Sequence, residues 1–208
     1  MEVARQPEWE RRLIAGLEEG SRFFMGQGDV HHAARALAKH LEADGIPYAI
    51  AGAMALNAHG YRRFTEDVDV LLTSEGLARF KERHLGRGYV ERFPGSKAMR
   101  DTENNVKIDV LIAGDFPGDG KPKPVAFPDP AAAAIRGMEF RILTPQKLVE
   151  LKLASGMTAL HRAKDIGDVV ELIRAAKLPR DLALDLDPSV RTKYIELWDA
   201  VEAAPAED

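Results

Sequence analysis

The chain has 208 residues, 45% of them hydrophobic and 30% charged, a net charge of −4 and no cysteine. These values describe a soluble globular protein of one large domain or two small ones, and they exclude a disulfide framework, a thiolate metal site and a cysteine nucleophile. No apolar run reaches the length of a membrane span and no signal-like leader opens the chain, so a cytoplasmic protein without a membrane partner is expected.

Trp9, Leu13, Ile14 and Leu17 fall at helical spacing after Pro7 and predict a helix over 7–19. A second helix is expected from an Asp29 cap, with Ala33, Ala34, Leu37, Ala38 and Leu41 as its apolar stripe and Asp44-Gly45 as its stop. Tyr48–Ala51 reads as a short strand, Ala53–Ala58 as one or two helical turns stopped by Gly60, and Asp67–Leu72 as a strand. Ser74 is the expected cap of a helix to about Leu85, ended by Gly86 and Gly88, before a strand at Tyr89–Phe93. Met99–Thr102 and Val106–Ile112 flank Glu103-Asn104-Asn105 as a hairpin. The Pro- and Gly-rich stretch 114–130 reads as a loop, and Glu139–Leu143 as a returning strand. Thr144-Pro145 then opens a helix to about Ala154, a further helix spans His161–Ala176, and the last runs from Asp187-Pro188 to Ala203, with a fraying tail after Pro205. The sum is an α+β chain: a small mixed sheet with flanking helices over 1–143, and a helical region over 144–208 across a soft boundary at Thr144.

The chemistry concentrates at Arg63-Phe64-Thr65-Glu66-Asp67-Val68-Asp69-Val70. A strand places residues i and i+2 on one face, so Asp67 and Asp69 point together while Val68 and Val70 point into a core. Two like charges side by side repel, and a hard divalent cation such as Mg²⁺ removes that cost. The plain alternative is two solvated acids on an edge strand. Asp109, between Ile108 and Val110, is either a third ligand for such a cation or an acid paired with Lys107 or an arginine. If the approach to Asp67 is extended, Arg63 and Thr65 share its face. Arg63 then meets a phosphate or a nearby acid. Gly52 opens a turn whose backbone N–H groups suit phosphate, or is a plain strand-to-helix turn. Lys152, between Leu151 and Leu153, either snorkels from the core or reaches a phosphate. Arg162, Lys164, Asp165 and Asp168 stand at intrahelical ion-pair offsets. Arg62 is expected to face solvent. The histidines lack metal spacing, and no serine sits in a hydrolase setting.

These residues resemble the DNA polymerase β-like nucleotidyltransferases. The motif of that superfamily is a small-residue turn, then Asp-x-Asp, then a third carboxylate in a strand. Gly52-Ala53, Asp67-Val68-Asp69 and Ile108-Asp109-Val110 follow that order. Within the superfamily the chain is most similar to the minimal and AbiEii-type enzymes through Arg63-Phe64-Thr65-Glu66-Asp67-Val68-Asp69, Leu151-Lys152-Leu153-Ala154 and Arg162-Ala163-Lys164-Asp165-Ile166-Gly167-Asp168. The likeness spans about 48–173. It departs at Ala53, where the family usually has Gly or Ser, so a serine hydroxyl is lost while the backbone N–H remains.

The resemblance implies a metal-dependent nucleotidyltransferase. Asp67, Asp69 and Asp109 are the expected catalytic residues and ligands of two Mg²⁺ ions, with Mn²⁺ as a substitute. Gly52, Ala53, Arg63, Thr65, Lys152, Lys164 and Asp165 are the expected nucleotide-binding residues. An acceptor hydroxyl would attack the α-phosphorus of ATP or another nucleoside triphosphate and release pyrophosphate. The acceptor is RNA such as tRNA, a protein or a small molecule, and AbiEii-type relatives add the possibility of a toxin with a cognate antitoxin. An RNA acceptor needs a basic groove, for which Arg162, Lys164, Arg174, Lys177 and Arg180 are candidates. The rival reading is a non-catalytic nucleotide-binding or antitoxin-like protein of the same fold, which Ala53 allows.

Overall fold

The computed structural model describes residues 8–204. Pro7 and the tail from Pro205 lie outside them. Along the chain come α1 (Glu8–Phe24), α2 (Asp29–Ala43), β1 (Ala49–Ile50), α3 (Gly52–Ala58), β2 (Asp67–Leu72), α4 (Ser74–His84), β3 (Tyr89–Glu91), β4 (Met99–Asp101) and β5 (Val106–Ile112). After the long loop follow α5 (Pro130–Ala133), β6 (Ala134–Arg136), β7 (Arg141–Leu143), α6 (Pro145–Thr158), α7 (Lys164–Ala176) and α8 (Pro188–Ala203).

The strands build one mixed sheet in the order β3-β4-β5-β2-β1-β7-β6. Its centre is β2, parallel to β5 and antiparallel to β1, while β1 runs parallel to β7. Antiparallel pairs, β3–β4–β5 on one side and β6–β7 on the other, complete it. This is the expected α+β arrangement of a small mixed sheet with flanking helices.

The period-2 pattern explains why the centre forms. In β5, Val106, Ile108, Val110 and Ile112 are buried, and Lys107, Asp109 and Leu111 between them are half-buried. In β2, Val68 and Val70 are fully buried and alternate with the half-buried Asp67 and Asp69. The apolar face is covered by α2, which crosses β2 and β5. Its stripe, Ala33, Ala34, Leu37, Ala38 and Leu41, is buried as the spacing predicts. Each fully buried Val, Leu or Ile contributes about 1.5–3 kcal/mol. The opposite face of the central strands is left for the site.

Several boundaries differ from the sequence reading. Helix α2 is capped by Gly28 without a side-chain bond, and Asp29 is its first residue, where a carboxylate still meets the positive helix end. Thr73, not Ser74, caps α4: its Oγ1 accepts from Gly76 N at 2.9 Å. Thr144 and Asp187 cap α6 and α8 as expected, accepting from Lys147 N and Ser189 N. Residues 160–162 form a 3-10 turn, so α7 starts at Lys164 rather than His161. Strand β3 stops at Glu91, and β7 starts at Arg141 because residues 137–140 turn back on themselves. Helix α1 runs past 19 to Phe24, and Leu13, Ile14 and Leu17 stay exposed; it meets the core through Phe23 instead.

Candidate active site

Register decides what the carboxylates do. Across the parallel β2–β5 pair, Asp69 lies opposite Asp109, and Asp67 opposite Lys107. Asp67, Asp69 and Asp109 therefore share one face and line one cleft of about 200 Å³. Gly52, with φ +56, presses its backbone onto this face: a Cβ there would lie 1.8 Å from Asp69 Oδ2. Burial pushes the Asp69 carboxyl up to about 6, and the neighbouring charges of Asp67 and Asp109 add to the shift. Like charges held together at a partly dry site are the condition that a cation relieves.

Two of the three carboxylates are engaged elsewhere. Thr65 Oγ1 donates to Asp67 Oδ1. Lys107 Nζ donates to Asp109 Oδ2. As oriented, no three carboxylate or imidazole groups among the described residues stand close enough together to hold an ion. The donor set nonetheless fits a hard divalent cation, being all carboxylate oxygen on one face, with one member destabilised by its neighbours. Asp67 and Asp109 each keep one oxygen outside these hydrogen bonds, and closing all three carboxylates on one ion needs the side chains to move together.

The same cleft is also lined by cations, of which Lys152 and Arg162 act electrostatically on Asp69. Arg63 and Lys152 line the cleft and meet at Asp168, which accepts from Arg63 Nη1 and, at 2.6 Å, from Lys152 Nζ. Lys152 also donates to Asp165 at 3.1 Å. Asp165 accepts in addition from Ser155 Oγ at 2.7 Å and Arg162 Nε at 3.0 Å. Burial alone would raise the Asp165 carboxyl, but Lys152, the Ser155 hydrogen bond and Arg162 outweigh it and hold it below the usual carboxylate range. Both acids are buried. Two carboxylates thus offset only part of three cations, and the exposed Lys164 adds a fourth positive charge on the cleft wall. A net positive set of side chains in one cleft with three carboxylates suits a ligand that carries anionic groups and cations together.

Each sequence-derived site residue lines this cleft: Gly52, Ala53, Arg63, Thr65, Asp67, Asp69, Asp109, Lys152, Lys164 and Asp165. Of the i, i+3 pairs expected from Arg162 to Asp168, Arg162–Asp165 forms. Asp168 instead joins Lys152 and Arg63 from distant elements. Arg63 therefore has the acid partner that was one of its two expected fates, and it borders the cleft as well. Among the candidates for a basic groove, Arg162 and Lys164 border the cleft, whereas Arg174 pairs with Glu171 and Arg180 with Asp199 away from it. Arg62 is exposed as expected, with its guanidinium 4.8 Å from the centre of the Phe24 ring. Sequence reasoning missed Ser155 and the apolar lining from Leu111, Pro117, Gly118, Phe127, Leu148 and Leu151. Leu111 was within reach of it, since it continues the 107, 109, 111 face of β5.

No protein-family profile matches the chain, and no curated protein does. Among solved structures it is similar to ANT(2'')-Ia in complex with adenylyl-2''-tobramycin, at 13% identity over 84% of this chain and 98% of that one, with a TM-score of 0.49. It is also similar to an antigenic nucleotidyltransferase-like protein from Paracoccidioides brasiliensis (17%, 83% and 91%, 0.46) and to JHP933 from Helicobacter pylori (18%, 83% and 78%, 0.45). Overlap of this degree carries neither chemistry nor substrate across to this chain.

Proposed function

We propose that this chain is a metal-dependent nucleotidyltransferase of the minimal or AbiEii type, moving a nucleoside monophosphate from ATP or another triphosphate to an acceptor hydroxyl. The observation that carries the reading is the Asp69–Asp109 register, which joins Asp67 and a backbone glycine in one cleft that is also lined by cations.

Asp67, Asp69 and Asp109 would hold Mg²⁺, two ions in the full site, with Mn²⁺ as a substitute. Bound there, the metal supplies charge neutralisation to the phosphates. Arg63, Lys152 and Lys164 hold the β- and γ-phosphates against the cleft wall, and the Gly52-Ala53 turn lets them approach the backbone. Asp109 orients the acceptor hydroxyl and receives its proton. The acceptor oxygen then forms a bond to the α-phosphorus as the bond from that phosphorus to the bridging oxygen breaks, and pyrophosphate leaves with the electron pair. Positioning and charge stabilisation account for most of the acceleration. No folded macromolecule enters about 200 Å³, so an RNA such as tRNA, or a protein, would present one end, whereas a small molecule would enter whole. A cytoplasmic toxin neutralised by a cognate antitoxin is the biological setting that the AbiEii likeness suggests.

The test is incubation with each labelled triphosphate, Mg²⁺ and total cellular RNA, protein or small-molecule extract. Label should enter one fraction, and Asp67→Asn or Asp69→Asn should lower incorporation by at least about a thousandfold. Full incorporation by either variant would refute the assignment. The Lys107–Asp109 ion pair, together with Ala53, favours a second reading in which the fold binds nucleotide without transferring it. Nucleotide binding by calorimetry with no label transferred to any fraction would establish that reading instead.

A further inference from the structure

The 114–130 segment, without regular secondary structure until α5 begins at Pro130, is pinned to α6 by two devices. The first is Lys123, whose side chain is only 10% exposed. Its ammonium donates to Pro117 O at 2.6 Å, to Thr158 Oγ1 at 2.9 Å and to the Asp119 carboxylate, so all three of its donors are used. The second is Gly118, at φ +75. A Cβ there would lie 2.7 Å from Thr158 Oγ1 and 2.9 Å from Ser155 O, so the strap touches α6 where only glycine fits. Phe127 closes its return through a backbone pair with Gly114 and Asp115.

This strap places Pro117, Gly118 and Phe127 on the lining of the cleft together with Leu111, Leu148 and Leu151. Leu111 follows Asp109 by one strand period, so the apolar end adjoins the carboxylates. Of the polar side chains lining the cleft, Ser155 and Asp165 are bonded to each other and to Arg162 and Lys152. A ligand portion entering here meets an aromatic ring and apolar walls. A phosphate would be unwelcome, while a flat heterocycle would be stabilised by stacking and burial.

We propose that the strap is the base-seating wall of the nucleotide site, with Phe127 as the contact and Lys123 as the positioning residue that holds it. The inference rests on the nucleotide reading above and adds its base selectivity. Stacking does not read ring edges, so ATP and GTP bind alike.

The experiment compares ATP, GTP and inorganic tripolyphosphate, each with Mg²⁺, by calorimetry on the full chain. ATP and GTP should both bind at least about tenfold more tightly than tripolyphosphate. Phe127→Ala and Lys123→Met should bring ATP close to tripolyphosphate while leaving tripolyphosphate affinity unchanged, an effect that general destabilisation would not produce. Circular dichroism verifies that each variant is folded, and Thr158→Val, which removes one of the three Lys123 contacts, should give an intermediate loss if the larger changes unfold the chain. Equal affinity for ATP and tripolyphosphate in the natural chain would overturn the proposal. So would a preference that survives in both folded variants, or a tenfold discrimination between ATP and GTP. Binding of neither triphosphate nor tripolyphosphate would instead overturn the nucleotide reading beneath it.

Discussion

Gly52 shows what a single position demands here. Its φ of +56 is open to glycine, and its missing Cβ leaves the space that Asp69 Oδ2 occupies. A sequence reader sees a glycine after a strand and infers a turn. The reason for it lies 17 residues further on, on a neighbouring strand, and is invisible without the fold. Gly52→Ala should cost about 2 kcal/mol or more, as strain at a left-handed position plus displacement of Asp69, and should abolish nucleotide transfer. Urea melts and the label assay measure the two effects. An unchanged midpoint with full transfer would show that the backbone does not need to approach the carboxylate. Asp67, Asp69 and Asp109 were legible for the opposite reason: alternation with valine and isoleucine is a local signal, and it sets their face before any tertiary contact is known.

At the scale of elements, strand β2 is bounded as the sequence reading has it, because two acids and four apolar residues leave little freedom of period. Strand β6 was missed. Its three residues, Ala134–Arg136, carry no alternation long enough to read, and its pairing with β7 is set by the turn between them. The helical caps divide in the same way. Thr144 and Asp187 stand immediately before a proline and were found, whereas at Thr73-Ser74 two capping residues compete and geometry chooses the first. The larger surprise is α7, where Asp168 reaches α6 and the segment before β2 instead of its own helix. Removing a buried acid leaves its cations uncompensated. Asp168→Ala should therefore destabilise the chain by about 3 kcal/mol or more. Arg174→Ala, which breaks an exposed pair on the same helix, should change stability by less than about 0.5 kcal/mol. Paired chemical-denaturation curves check this, and equal losses for the two variants would mean that the Arg63–Asp168–Lys152 cluster does not tie the elements together.

Across the whole molecule, residues from four separated stretches meet in one cleft: 52–53, 63–69, 109–127 and 148–165. The parallel β2–β5 pairing brings the third carboxylate to the first two, and α6 carries Lys152 into the same cleft. The order of the carboxylates and cations along the chain was readable. Their convergence, the strap that encloses their apolar end and the acids that hold the cations depend on long-range packing. Asp67, Asp69 and Asp109 are proposed to share divalent metal. Anomalous diffraction from crystals soaked in Mn²⁺ and a non-transferable ATP analogue tests it directly. A manganese peak within ligating distance of all three carboxylates is expected. A well-occupied nucleotide with no peak beside them would contradict it.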